Sequence, residues 1–201
     1  MKKVGLYFGT FNPIHVGHLM IANHFVETTD LKEVWLVVSP QNPLKNKEGL
    51  VDDHHRLAMV LEAINDNPNL LASNIEFDLP KPSYTVYTLQ ILKEKYPDHE
   101  FSLIMGEDNL RNFHCWKNYE YILENHFIHV YPRVYTEEEL SLLKEEPNKF
   151  EKHPKVRFNA DAPIMRVSSS YIRDAIKAGR DAKYLLSEPV YTYLNAMNFY
   201  K

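Results

Sequence analysis

Cysteine is almost absent: the 201-residue chain holds one, Cys115. A lone cysteine excludes an internal disulfide framework and fits a reducing compartment. No apolar run approaches the ~18 residues that a membrane span needs. The basic pair Lys2–Lys3 is followed by too short an apolar stretch for a secretion signal. The expected location is therefore the cytoplasm, with no membrane partner. Charge of one sign is lacking too, with 23 Lys and Arg against 27 Asp and Glu and a net charge of -4. That balance argues against a broad basic surface for nucleic acid. Glycine is scarce, and three of the 6 glycines (Gly5, Gly9, Gly17) fall within the first 17 positions. Such clustering marks a backbone with unusual local demands.

What is present is ordinary globular material, with 44% hydrophobic and 25% charged residues. A chain of this length buries roughly 70% of its unfolded surface and needs no staple. Val4–Phe8 and Val34–Val38 read as buried strands flanking a helix from Val16 to Val26, with Leu19, Met20, Ala22 and Phe25 at helical spacing. Strand, helix and strand in that span make a βαβ unit, hence a parallel pair. Further along, Asp52 or Asp53 caps a helix through Leu57, Val60, Leu61 and Ile64, and Asn74–Asp78 alternates like a strand. Thr85–Lys95 reads as a helix with Val86, Leu89 and Leu92 on one face. Phe101–Met105, Phe127–Tyr131 and Val156–Phe158 read as strands. Thr136 with Glu139 matches a capping box for a helix to about Lys144, and the mixed-sign stretch Glu137–Lys152 reads as solvated. A Ser-rich helix start at Ser168 and a helix from about Pro189 close the chain. The expected fold is α/β, a doubly wound and mostly parallel sheet in one domain, 1–201, with the helical part from about 168 packed on it.

Chemistry concentrates between the first strand and the first helix, in Gly9-Thr10-Phe11-Asn12-Pro13-Ile14-His15-Val16-Gly17-His18. A glycine turn after a strand points backbone N–H groups at an anion, and the helix dipole favours negative charge there. His15 and His18, three apart, share a face of the first turn. The segment lacks the Gly-Lys-Ser/Thr ending of a P-loop and the Gly-x-Gly-x-x-Gly dinucleotide fingerprint, and its histidine spacing is not that of a helical zinc site.

His15-x-Gly17-His18 resembles the hallmark of the nucleotidyltransferase superfamily, and Ser168-Ser169-Ser170-Tyr171-Ile172-Arg173 resembles its second hallmark about 150 residues on. Pro40-x-x-Pro43-x-Lys45, Arg56-Leu57-Ala58-Met59, Ser83-Tyr84-Thr85, Gly106-x-Asp108 and Trp116 are similar to features of the nicotinate-nucleotide adenylyltransferases. The resemblance implies a Rossmann-like nucleotidyltransferase fold. The implied activity is transfer of the adenylyl group of ATP to nicotinate mononucleotide, giving deamido-NAD and pyrophosphate. Other acceptors in that superfamily are nicotinamide mononucleotide and pantetheine phosphate. A module that binds nucleotide without turnover is a third alternative.

The mononucleotide phosphate is already anionic near neutral pH, so the reaction needs positioning and charge neutralisation rather than a protein nucleophile. The resemblance implies His15, His18, Lys45 and Arg173 as catalytic residues. ATP is expected on Gly9, Thr10, Phe11, His15, His18, Gly106, Asp108, Ser168, Ser169, Ser170 and Arg173. Asp108 would take the ribose hydroxyls. The serines read either as an N-cap or as phosphate ligands. The mononucleotide is expected on Thr10, Lys45, Tyr84, Thr85, Trp116 and Arg133, with Trp116 either a core aromatic or a plate for the pyridine ring. Mg2+ is expected to arrive through the ATP phosphates, with no dedicated metal cage. The neighbouring His54 and His55 read as solvated. Three departures from the family pattern stand out: Phe8 in place of a glycine, Asn12 in place of Asp, and Glu107 adding charge beside the adenosine pocket. Oligomeric state is not legible.

Overall fold

In the computed structural model, which describes residues 1–40, 49–137 and 148–201, a six-stranded parallel sheet runs through the molecule in the order β3-β2-β1-β4-β5-β6. The strands are β1 (Lys2–Gly9), β2 (Glu33–Val38), β3 (Leu70–Ser73), β4 (His99–Gly106), β5 (Ile128–Tyr131) and β6 (Val156–Phe158). The helices are α1 (Val16–Thr28), α2 (Asp53–Ile64), α3 (Thr85–Lys95), α4 (Glu107–Arg111), α5 (Tyr119–Asn125), α6 (Ser169–Lys177) and α7 (Glu188–Ala196). The capping-box helix expected from Thr136 to about Lys144 falls largely outside the described residues.

Strands buried on both faces explain the near-continuous apolar runs. Val34, Leu36 and Val38 of β2 join Phe25, Met59, Val60, Ile172, Val190 and Leu194 in one core. Trp35 and Val37, pointing the other way, join Val86, Leu89, Leu92, Leu110 and Ile122 in a second. Helices α1, α2, α6 and α7 thus cover one face of the sheet, and α3, α4 and α5 the other.

Two helix faces differ from the sequence reading. Helix α1 buries Ile21, Ala22 and Phe25 and leaves Met20 exposed, while α2 buries Arg56, Met59, Val60, Ala63 and Ile64 and leaves Leu61 exposed. The expected strand at Asn74–Asp78 is a series of turns. The third strand lies just before it, at Leu70–Ser73, paired with β2 from Val34↔Leu70 to Val37↔Ser73. The alternation misled because the inward-facing Glu76 is held by hydroxyls: its carboxylate accepts from Ser83 Oγ (3.0 Å) and Thr88 Oγ1 (2.7 Å).

Strand order reverses beside β1, where β1 pairs with both β2 and β4. In open α/β sheets that is where a crevice opens beyond the carboxyl ends of the strands.

Candidate active site

Two cavities open at that crevice, one of about 820 Å³ and one of about 360 Å³. They share Tyr7, Phe8, Gly9 and Thr10 at the end of β1. Beyond Gly9 the chain turns through Phe11, whose φ of +45° is left-handed, and the Phe11 ring folds back over the glycine. A Cβ at Gly9 would stand 2.8 Å from that ring. Gly17 is needed for a similar reason: a Cβ there would meet Val167 at 2.8 Å, so the small residue brings the starts of α1 and α6 together.

The larger cavity takes in Gly9, Thr10, Phe11, His15 and His18 from the first turn, Ser168, Ser169, Ser170 and Arg173 from α6 and its cap, and Asp108 and Arg133 from the ends of β4 and β5. The His15 backbone N–H donates to His18 Nδ1 (3.2 Å), which fixes the His18 proton on Nε2. The two imidazoles stack with centroids 3.7 Å apart. Burial lowers the His15 pKa to about 4, so this ring is neutral near pH 7. Ser168 caps α6 by accepting from Tyr171 N (3.2 Å), and Ser169 Oγ donates to Pro13 O (2.9 Å). Arg173 reaches back across the helix start to donate to Asn12 O (2.9 Å). Arg166 also lines this cavity, so among the described residues three guanidinium groups and one carboxylate line it. That surplus suits a polyanion.

The smaller cavity is lined by Tyr84, Thr85 and Trp116, and by Thr10, which it shares with the larger one. Trp116 packs against the second core yet keeps a partly exposed ring, joining both parts of its sequence reading. Lys117 Nζ sits over the rings of Tyr84 (4.6 Å) and Tyr87 (4.8 Å). Arg133, expected with the mononucleotide, lines the larger cavity instead, 3.7 Å from Asp108. Gly106 lines neither cavity; it is the N-cap of α4, whose first turn carries Asp108. Lys45 lies outside the described residues.

Four described helices bring their first turns to these cavities: three of them lack an acid there, and α4 supplies Asp108. Helices α1, α3 and α6 carry no acidic residue in their first turn, whereas α2, α4, α5 and α7 each do. Acids usually neutralise the positive end of the helix dipole. Leaving them out at these three ends keeps the N–H groups and the dipole available to an anion.

The roles of several residues escaped the sequence reading, although Arg56 stood in a segment similar to the family's. Arg56 is fully buried and donates to Thr10 O (2.6 Å), Ser39 O (2.9 Å) and Val51 O (2.8 Å), with its other end paired to Asp53. Its signal was present, since Arg56, Met59, Val60 and Ala63 share one helical face, and a guanidinium on an apolar face needs partners. Tyr7 and Tyr131, with hydroxyls 3.2 Å apart, line the larger cavity, and burial pushes both phenols above their usual pKa. Nothing in the sequence pairs them. His55 is not solvated: its Nδ1 meets Tyr193 Oη at 2.8 Å and its ring lies against Phe199. The three departures are also resolved. Phe8 ends in the strand rather than the turn and packs on the second core. The Asn12 amide donates to Gly49 O (2.9 Å), which a carboxylate could not do. The Glu107 charge is matched by Arg111 at 2.9 Å.

Comparison with known proteins agrees with this geometry. The cytidylyltransferase-like family model matches residues 6–175. The "probable nicotinate-nucleotide adenylyltransferase" of Flavobacterium johnsoniae is 56% identical over 99% of both chains. A relative with the same description from Christiangramia forsetii is 53% identical, over 100% of this chain and 99% of that one. The chain belongs to the nicotinate-nucleotide adenylyltransferase family. A solved structure, that of the Plasmodium falciparum nicotinic acid mononucleotide adenylyltransferase complexed with NaAD, shares the family fold. Its TM-score is 0.77 at 21% identity, covering 100% of this chain and 98% of that one. Among the described residues no group of three or more His, Cys, Asp or Glu side chains is placed to hold a metal ion. Nor is any described helix long and apolar enough to cross a membrane.

Buried imidazoles make the fold sensitive to mild acid. His15 and His129 both have pKa values lowered to about 4 by burial, against 6.5 for an exposed ring. The unfolded chain binds these protons first as pH falls, so the stability from neutral burial is full above about pH 6.5. It is lost as pH drops toward 4. Each ring should contribute about 2 kcal/mol of destabilisation between pH 7 and 5. Urea midpoints across that range check this, and His129→Leu should flatten the profile. A midpoint that stays constant from pH 7 to 5 would contradict it.

Proposed function

We propose that the protein transfers the adenylyl group of ATP to nicotinate mononucleotide, releasing pyrophosphate and forming deamido-NAD. The observation that carries this reading is the pair of cavities meeting on Thr10. One is rich in guanidinium groups and faced by two acid-free helix N-termini. The other is aromatic and faced by a third. In this reading the triphosphate lies in the larger cavity against the starts of α1 and α6, near His15, His18, Arg173 and the serines Ser168–Ser170. Asp108 takes the ribose hydroxyls, and Arg133, beside it, serves the same nucleotide. The mononucleotide lies in the smaller cavity with its pyridine on Trp116 and its phosphate toward Thr10. Lys45 is kept as a mobile phosphate ligand. Mg2+ enters as part of the nucleotide substrate, held largely by phosphate oxygens and water. The reaction is placed in the cytoplasm, where the single cysteine stays reduced.

The chemistry then follows simply. A phosphate oxygen of the mononucleotide attacks the α-phosphorus, the bond from α-phosphorus to the bridging oxygen breaks, and pyrophosphate leaves. The attacking oxygen is already deprotonated, so no side chain has to remove a proton. The protein brings two anions together and stabilises the charge that builds on the α-phosphate.

The same reading sets the acceptor. Tyr84 caps α3 through its backbone, with no side-chain cap and no acid in the first turn. Those N–H groups suit a ring carboxylate, while an amide would turn its own NH2 toward donors. A charge-assisted hydrogen bond is worth about 1.5–3 kcal/mol, so kcat/KM should favour the acid by about ten- to a hundredfold. Coupled pyrophosphate release with each mononucleotide at fixed ATP and Mg2+ tests this. Equal values, or a preference for the amide, would reject it.

A further inference from the structure

Among the described residues, the turn that would carry the phosphates, Thr10–Ile14, makes no ladder or helix bonds of its own to fix its shape; the first helix bonds are those to His15 O. Its position is set from outside. Arg56 holds Thr10 O, Ser169 holds Pro13 O and Arg173 holds Asn12 O. Asn12 itself is buried, and its side chain ties three separate pieces of chain together. Its Nδ2 donates to Gly49 O (2.9 Å), while its Oδ1 accepts from Val51 N (3.2 Å) and from the hydroxyl of Tyr200 (2.6 Å). The last of these is the shortest, and it comes from a residue 188 positions away.

Tyr200 is built to stay there. Its φ is +64°, and that of Asn198 is +54°, so the segment after α7 bends back sharply on itself. Phe199 packs on His55 (5.0 Å) and on Tyr193 (6.4 Å), which fastens the bend to α2. Burial raises the Tyr200 pKa against the pull of Arg173 and Arg56, so the phenol remains a donor at neutral pH. Neither the histidine motif nor the serine motif contains this residue.

We propose that Tyr200 is a positioning residue of the active site: through Asn12 Oδ1 it holds the phosphate turn in register with the Gly49–Val51 segment and with Arg173. The inference rests on the reading of that turn as the phosphate site. Without the hydroxyl, the Asn12 amide keeps only its bonds with Gly49 O and Val51 N, both on one segment, and loses its tie to the C-terminal bend. The Asn12 carbonyl that receives Arg173 can then shift together with the Gly49–Val51 segment. Small displacements of a positioning loop are costly in reactions that depend on alignment.

The test compares Tyr200→Phe, which removes one oxygen, with Tyr193→Phe, which removes the hydroxyl that meets His55 in the same C-terminal region. Two readouts are taken on the full chain: ATP affinity by calorimetry without acceptor, and kcat/KM for ATP by pyrophosphate release. Tyr200→Phe should weaken one or both by about three- to tenfold, the worth of one hydrogen bond. Tyr193→Phe should leave both within twofold. Thermal midpoints of both variants are read alongside, since a purely structural loss would lower them without separating the two. Unchanged ATP parameters in Tyr200→Phe would overturn the proposal, and so would an equal loss in Tyr193→Phe. ATP calorimetry needs no acceptor, so it judges this inference even if the assigned acceptor is wrong.

Discussion

His18→Ala lowers kcat by about 10²-fold or more while changing ATP affinity far less. The His15 N–H bond to Nδ1 fixes the proton on Nε2, and stacking on His15 (centroids 3.7 Å apart) with a T-shaped contact to Phe11 (centroids 5.1 Å apart) holds the imidazole plane. A ring held this way is a donor of set direction at the start of α1. Removing one preorganised donor to developing charge costs about 10²–10³ in turnover, because the interaction strengthens only in the transition state. Steady-state pyrophosphate release gives kcat, and calorimetry with a non-hydrolysable ATP analogue gives the affinity. A near-normal kcat would remove His18 from the chemistry, and an equal loss in both quantities would make it a ground-state ligand.

Arg56→Met should destabilise the fold by about 3–5 kcal/mol, the range found when one partner of a buried charge pair is removed. The methionine fits the volume but leaves the carbonyls of Thr10, Ser39 and Val51 without this donor and leaves Asp53 with only its pairing to Lys81 at 3.2 Å. Burial lowers the guanidinium's pKa, while Asp53 acts to raise it, so the pair offsets part of its own desolvation. Activity should fall as well, below the temperature of unfolding, because Thr10 sits where the two cavities meet. Urea denaturation measures the first effect, and pyrophosphate release at a temperature where the variant is folded measures the second. Stability within about 1 kcal/mol of the parent would show that water replaces the lost donors.

These two residues differ in how openly the sequence announced them. His18 stood in a motif of adjacent residues, with a glycine, a strand before it and a helix after it, and local order alone carries that signal. Arg56 stood on a helix whose period was visible, but its partners are 5, 17 and 46 residues away. Asn74–Asp78 shows the opposite failure. Alternation there came from a buried carboxylate meeting Ser83 and Thr88, a pattern with a period of two and no strand behind it. Arg133 followed a strand as expected, yet which cavity it entered depended on where β5 sits beside β4.

Periodicity, glycine spacing and the two motifs were enough to determine an α/β doubly wound fold, five of its strands and its longer helices in order, though not the short helices α4 and α5 or the place of β3, and the two segments that bear the chemistry. These are local properties, set by backbone sterics and by which side of an element is apolar. Only the tertiary structure decided that the first turn serves two cavities at once and that the acid-free starts of α1, α3 and α6 meet there, with α4 bringing Asp108. It also decided that Arg56, Asn12 and Tyr200 share the work of holding that turn. The reason is the same in each case. A hydrogen bond between residues 46 or 188 apart leaves no period and no spacing in the sequence. It exists only once the sheet has brought both ends to the same edge.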